Sequence, residues 1–341
     1  MNPTLGRQME QEMAEQPRVL AALAEQLPDW TSQIKALTRY GVAGVAFLAR
    51  GSSDNAALFG RYAVELHTGL PTCLIAPSLI TAHGRQPVGF RGWLLVAASQ
   101  SGRTPEIVDL ARAFSAAGAS VQSITNDGAS ELAAAGAVSI DVAAGPERAV
   151  PATKTVTAQM MAMTAIVSGL AAVDLPPADR ISEAVRFALE DRAAVAAAAE
   201  QLDVVDRVAV VGRGLVYPAA RETALKLQET TGMMAHGFTT ADFRRGPIAV
   251  CGPGAPAVLF MGAGPADRDT QDLVAPLQER SARTVLIGHA AAPDIRLPDL
   301  GGAADCVLST VRGQRLALAL CRQRGIDPDH PTGLNKITLT H

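Results

Sequence analysis

Two stretches of the chain, VAFLARGSS around Gly51 and VAVVGRGLV around Gly212, carry one pattern. Each is a short Val-rich apolar run that reaches a glycine and passes into helical spacing. Setting Gly51 against Gly212 gives an offset of 161 residues, and the same offset pairs Glu65 with Lys226. Both following helices close on a glycine, Gly69 and Gly232, as a left-handed C-cap requires. A repeat of this kind constrains the fold, because each copy is one supersecondary unit built on an apolar strand. The first copy continues through a helical stretch over 55–67, the runs PTCLIA and WLLVAAS, the helix EIVDLARAFSAAG, then SVQSITN and VSIDV. Helical stretches over 153–172 and 179–202 lead to RVAVVGRG, AVLFMG and RTVLIG, and 313–325 is helical again. Strands alternating with helices predict an α/β protein with a parallel sheet in each copy and helices on both faces. Ahead of the first strand, 6–39 carries helical spacing broken at Pro17 and Pro28. The expected organisation is a helical segment (1–40), a first domain (41–175), a second domain (176–325) and a tail (326–341).

With 341 residues, 48% of them hydrophobic and 18% charged, the chain holds enough apolar material for two cores. Aromatic residues make up only 4%, which argues against base-stacking platforms. Thirty Lys and Arg against thirty-three Asp and Glu leave a net charge of −3, so no basic footprint for nucleic acid or an anionic membrane exists. The opening MNPTLGRQMEQEMAEQ lacks the apolar core of a signal peptide, and no later run reaches the roughly 18 apolar residues of a membrane span. A cytoplasmic protein with a small-molecule partner is expected. Cys73, Cys251, Cys306 and Cys321 lie far apart and form no CxxC, so buried reduced thiols are expected. No HxxxH, HExxH or DxDxDG pattern supports a metal. GRGLVY places Tyr217 where a dinucleotide fingerprint needs its third glycine, which disfavours NAD, and no cofactor is expected. Neither GxxxxGK[ST] nor GxSxG occurs.

The strongest local signal is Ser99-Gln100-Ser101-Gly102-Arg103-Thr104-Pro105-Glu106, placed where a buried strand turns into a helix. Parallel sheets bind ligands at the C-terminal ends of their strands, and a helix N-terminus offers free N–H groups to an anion. Three hydroxyls around this turn compose a phosphate cradle, with Gly102 permitting close backbone approach and Pro105 suiting the first helical turn. The plainer reading is that Ser and Thr only cap the helix. Gly51-Ser52-Ser53-Asp54 is a weaker version of the same turn. On the helix after Gly212, Glu222, Lys226 and Glu229 stand at i, i+4 and i+7 on one face. They make either a solvated ion-pair stripe or a carboxylate poised as a general base.

The segments MEQEMAEQP, RGSSDN, SQSGRTPE, AVPATK, ETALKLQE, FRRGP and LNKITLT together resemble the double SIS (sugar isomerase) domain family. That family includes the isomerase domains of glucosamine-6-phosphate synthases and the deaminases related to them. The resemblance implies two tandem SIS domains, each a flavodoxin-like, doubly wound three-layer αβα unit. It implies that Ser99, Gln100, Ser101 and Thr104 hold a sugar 6-phosphate, that Ser53 contacts the sugar and that Val150 lines the substrate. It implies that Glu229 takes the C2 proton with Glu222 and Lys226 beside it, and that Lys336 reaches the carbonyl end. A homodimer with a shared site is implied as well. Two departures stand out: Ala152 replaces a sugar-contacting hydroxyl, and Arg245 stands where the family carries a ring-opening histidine. Arginine stays protonated and cannot shuttle a proton as imidazole does. Arg245 is still counted among the catalytic residues, and nearby His236 is one candidate for the histidine's role that nothing in the sequence forces. No glutaminase half is encoded in the sequence, so isomerisation or deamination of glucosamine 6-phosphate in the catabolic direction is expected. The alternatives are dehydration of N-acetylglucosamine 6-phosphate and a phosphosugar sensor without catalysis.

Overall fold

The computed structural model describes residues 4–171, 173–174 and 176–336. In chain order the elements are α1 (Arg7–Ala14), α2 (Gln16–Leu37), β1 (Gly44–Leu48), α3 (Ser52–Thr68), β2 (Thr72–Leu74), α4 (Ser78–Thr81), β3 (Trp93–Ser99), α5 (Pro105–Ala116), β4 (Ser120–Thr125), α6 (Glu131–Ala135), β5 (Val138–Asp141) and α7 (Lys154–Leu170). They continue with α8 (Ala178–Glu190), α9 (Arg192–Leu202), β6 (Arg207–Gly212), α10 (Tyr217–Thr231), β7 (Met234–Thr239), α11 (Thr240–Arg244), β8 (Ala257–Met261), α12 (Asp267–Gln271), α13 (Val274–Glu279), β9 (Thr284–Gly288), β10 (Ile295–Arg296) and α14 (Gly302–Arg324). The chain divides into two compact units, one holding 19–147 and 155–178, the other 1–18, 148–154 and 179–336.

Each unit is built on a five-stranded sheet, in order β2-β1-β3-β4-β5 and β10-β9-β8-β6-β7. Every pairing in both is parallel. Reading the second order backwards maps β6 to β10 onto β1 to β5 strand for strand. This is the tandem α/β architecture expected from the repeat. β1 and β8 are buried at every residue, as strands covered on both faces must be. In the first unit Leu48, Leu95 and Ala97 pack with Ile107, Leu110 and Phe114 of α5. In the second, Val208, Val210, Val258 and Phe260 face α9, α10 and α14, while Val211 and Leu259 face Phe243, Leu273 and Leu277.

The structure corrects the register of the repeat. β1 begins at Gly44 and β6 at Arg207, and the left-handed caps Gly69 (φ 68) and Gly232 (φ 69) lie equally far apart. The offset is therefore 163, not 161, because the Arg-Gly turns at Gly51 and Gly214 mark equivalent points. Each cap N–H donates to its own helix at equivalent residues, Glu65 and Gln228, so Glu65 corresponds to Gln228 and not to Lys226. Two further readings change. Pro28 sits inside α2 without ending it, and Pro17 falls in the first turn, where no intrahelical donor is lost. The stretch 179–202 is two helices, parted at Asp191. β7, which carries a glycine and polar residues in place of an apolar run, has no strand signal and is held by its pairing with β6.

Packing of α14 on α10 is close. A Cβ on Gly313 would lie 1.9 Å from Thr223 Oγ1. The helix-propensity gain of Gly→Ala, about 1 kcal/mol, is smaller than an overpacking cost of about 1–3 kcal/mol. Gly313→Ala is therefore expected to lower the urea midpoint, and Thr223→Ala added to it to recover part of the loss. The thiols follow the same logic of burial: Cys251, Cys306 and Cys321 are buried and Cys73 half-buried. Burial pushes all four thiols up, Cys321 to about 11. Since the thiolate is the reactive form, native labelling near neutral pH should be slow and confined to Cys73, with the others reacting only on unfolding.

Candidate functional site

β3 runs out at buried Ser99, and the chain turns through Gln100, Ser101, Gly102 and Arg103 into α5, whose N-cap is Thr104 and first residue Pro105. Ser99 Oγ accepts the Gly102 N–H and Ser101 Oγ the Arg103 N–H, both at 3.2 Å. Thr104 makes no side-chain capping hydrogen bond, so a capping role does not account for its hydroxyl. Gly102 answers first to the fold. Its φ is 62° and a Cβ there would lie 2.1 Å from Ser130 Oγ. Because β1 and β3 are parallel neighbours, the turn after β1 opens at the same edge of the sheet, where Ser53 is buried in the first turn of α3.

An ion pair that the sequence reading missed ties these turns together. Arg50, just past β1, holds the buried Glu106 of α5 through two contacts of 2.9 and 3.0 Å. Glu106 pushes the Arg50 guanidinium up, keeping it cationic. The signal was a lone Arg before Gly51 and a lone Glu after Pro105, separated by 56 residues, with nothing local to join them. Arg103 turns outward instead, to Asp127 at 2.8 Å.

The equivalent turn of the second sheet, after β8, is closed to an anion. The Gly262 and Gly264 N–H groups both donate to Asp267, at 2.7 Å, and the Ala263 N–H donates to Asp305 at 2.9 Å. Three backbone donors are thus spent on two carboxylates. Leu215 and Val216 stand where the first copy has Ser52 and Ser53. Burial pushes the Asp267 carboxyl above the usual carboxylate range, with the Asp305 charge adding to it. His289 Nε2 meets Asp305 at 3.2 Å.

On α10 the three predicted residues come together, and not as a solvated stripe. Lys226 is fully buried, Glu222 is 1% exposed and Glu229 23% exposed. Lys226 Nζ lies 3.4 Å from Glu222 and in short contact with Glu229 Oε2. A buried ammonium needs such partners, since its desolvation costs several kcal/mol. The arrangement leaves Glu229 as the member of the group that reaches solvent, with its carboxylate oriented by Lys226. Arg245 is exposed at the C-cap of α11. His236 is exposed on β7, its ring 4.4 Å from that of Phe238.

Val150 is half-buried in the segment 148–154, in the unit of the second sheet. α1 pins that segment: buried Glu12 accepts the Arg148 and Ala149 N–H groups, and Glu15 meets Lys154 at 2.8 Å. Two of the sequence motifs, MEQEMAEQP and AVPATK, therefore meet in space. The tail is anchored on the same helix. Asp327 accepts the Gly6 N–H, and Asp329 those of Gln8 and Met9. Lys336, half-buried, is the last residue described, and the rest of the tail, 337–341, lies outside the described residues. Ser53 and the turn from Ser99 to Thr104 lie in the unit of the first sheet, and Glu222, Lys226, Glu229, Arg245, Val150 and Lys336 in the unit of the second. Among the described residues no cluster of His, Cys, Asp and Glu is arranged to hold a metal ion. No described helix is long and apolar enough to cross a membrane.

The SIS domain model matches residues 43–169 and 201–296. The chain is 29% identical to the isomerizing glutamine–fructose-6-phosphate aminotransferase of Methanothermobacter thermautotrophicus, over 96% of this chain and 56% of the relative. Against the enzyme of the same description from Mycolicibacterium smegmatis the identity is 30%, over 86% of this chain and 50% of the relative. The chain thus spans about half the length of the curated relatives it matches. Among solved structures, the C-terminal domain of glucosamine-fructose-6-phosphate aminotransferase from Francisella tularensis superposes with a TM-score of 0.83 at 24% identity, over 95% of this chain and 98% of that one. The glucosamine-6-phosphate deaminase of Thermotoga maritima gives 0.75 at 22%, over 93% and 99%. These two share the fold. With both copies of the repeat matched over more than half of its length, the chain belongs to the SIS domain family.

Proposed function

We propose that this chain acts on an aminosugar 6-phosphate by removing the C2 proton, isomerising or deaminating glucosamine 6-phosphate. The observation that carries this reading is the buried Lys226 between Glu222 and Glu229, with Glu229 alone of the three open to solvent. In this reading the turn Ser99–Thr104 takes the phosphate, since the equivalent turn of the second sheet is already occupied by Asp267 and Asp305. Ser53 and Val150 contact the sugar. Glu229 accepts the C2 proton, and the electron pair passes to the C1 carbonyl oxygen, where the Lys336 ammonium stabilises the developing charge. Return of the proton to C1 yields the ketose from a 2-hydroxy substrate. From a 2-amino substrate it yields the C2 imine, which takes up water and releases ammonia to leave fructose 6-phosphate. Arg245, at the position of the family's ring-opening histidine, is kept among the catalytic residues in a role other than proton transfer, because a guanidinium stays protonated.

The two relatives described as aminotransferases support an aminosugar substrate. The homodimer and cytoplasmic setting implied by the family belong to the same proposal, and light scattering of the purified chain at twice the monomer mass is the expected result. Proton NMR in D2O with glucosamine 6-phosphate should show exchange at C2 and formation of fructose 6-phosphate. A vinylic product from N-acetylglucosamine 6-phosphate would instead establish dehydration, in which the C3 hydroxyl leaves from the C2 carbanion. Binding of either sugar without C2 exchange would establish a sensor.

Loss of a general base costs roughly 10²–10⁴-fold, so Glu229→Gln should lower kcat by that order with little change in KM. Turnover by this variant at the wild-type rate would refute the assignment. Ser101→Ala with Thr104→Ala should act differently. Each hydrogen bond to a charged group contributes about 1.5–3 kcal/mol, so the pair should raise KM by at least about 10-fold while C2 exchange at saturation persists.

A further inference from the structure

A cavity of about 410 Å³ opens within the unit of the second sheet where α1, α2, α8, α9 and α14 meet. It shares no lining residue with the assigned site residues. Its apolar lining includes Met13, Pro17 and Leu189, and four arginines line it: Arg18, Arg186, Arg192 and Arg315. Small-ligand sites are concave, mostly apolar and about 300–1,000 Å³ in volume, with a few polar groups that fix orientation. This cavity has that composition with one sign of charge in excess, since among the described residues its acidic lining is Glu10 and Glu190 against four arginines.

The arginines are under-used by the fold. Arg18 and Arg192 are 76% and 72% exposed, and Arg186 is exposed as well. Arg18 meets Glu15 only at 3.6 Å. Glu10 is committed elsewhere: Arg322, which does not line the cavity, grips it through contacts of 2.7 and 3.2 Å and holds its carboxyl below the usual range. Arg192 and Arg315 reach Glu10 only at 3.4 Å. Arg315 is the telling group. Its side chain is 8% exposed and its Nε has no hydrogen-bond partner among the described residues. A buried guanidinium N–H without an acceptor is costly unless an acceptor arrives from outside.

We propose that this cavity is a second ligand site for an oxyanion, a phosphate monoester or carboxylate, carried on a small apolar body. The oxyanion engages Arg315 at depth and Arg186 and Arg18 at the rim, in the forked geometry guanidinium offers such groups. The apolar body lies against Met13 and Leu189.

Phenyl phosphate, benzoate and inorganic phosphate are the probes, titrated calorimetrically into the full chain carrying Ser101→Ala and Thr104→Ala, which removes the turn proposed for the sugar phosphate. Phenyl phosphate is expected to bind at one site per chain in that background, more tightly than inorganic phosphate. Reversal of the two rim charges, Arg18→Glu with Arg186→Glu, should weaken it at least tenfold while circular dichroism stays unchanged. Arg315→Met should do the same, and because that residue is buried, the rim pair keeps the test decisive if Arg315→Met fails to fold. Benzoate binding with equal affinity would support the carboxylate form of the site, and binding of phenyl phosphate alone the phosphate form. Absence of saturable binding in the Ser101→Ala, Thr104→Ala background, or binding indifferent to the rim charges, would overturn the site. Phenyl phosphate binding lost through Ser101→Ala and Thr104→Ala alone would leave the sugar-phosphate turn standing while this site falls. Binding sensitive to the rim charges, with the KM for glucosamine 6-phosphate unchanged by the Ser101 and Thr104 substitutions, would support this site and remove the other.

Discussion

Parallel strand pairing is the constraint on which the rest of the molecule depends. Where every neighbour runs the same way, every strand-to-helix turn of a sheet emerges at one edge, and both faces must be covered by the returning helices. Here this holds twice, in sheets whose orders correspond strand for strand. It brings the turn after β1 beside the turn after β3, and the turn after β6 beside that after β8. Chemistry at such edges is decided by what each turn does with its free N–H groups.

The two copies answer that question differently. In the first, the donors of Gly102 and Arg103 rest on the hydroxyls of Ser99 and Ser101, neutral groups at 3.2 Å that a stronger acceptor can displace. In the second, the donors of Gly262, Ala263 and Gly264 are held by carboxylates at 2.7–2.9 Å. A duplicated scaffold thus carries one turn whose donors rest on neutral hydroxyls and one whose donors are held by carboxylates. The second copy keeps a different asset, the helix α10 with its buried ammonium.

Burial gives that helix its meaning. Glu and Lys at i and i+4 on an exposed face contribute about 0.3–0.5 kcal/mol and have no function to explain. The same residues with Lys226 fully buried and Glu222 1% exposed carry a desolvation cost that their pairing helps to offset. Sequence spacing places the three side chains on one face and cannot say which face it is. The cover is supplied by α14, whose Gly313 allows close approach at Thr223. Carboxylates of α1 and its C-cap play a comparable part at long range, with Glu12 on Arg148 and Ala149 and Glu15 on Lys154, contacts that span well over a hundred residues.

What the sequence determined by itself was periodic or local. Apolar runs such as WLLVAAS become strands because burial on both faces demands them, and the left-handed caps at Gly69 and Gly232 follow from glycine's freedom at positive φ. The turn from Ser99 to Pro105 was legible for the same reason, since its residues are contiguous. Tertiary structure decided whatever depends on partners distant in the chain. The offset of 163 required the true starts of β1 and β6, and the edge strand β7 exists through its pairing with β6. The Arg50–Glu106 pair, the closure of the second turn by Asp305 and the anchoring of the tail on α1 have no local signature. Each joins groups whose separation along the chain carries no information about their distance in space, and electrostatic pairing under burial acts only once packing has brought them together.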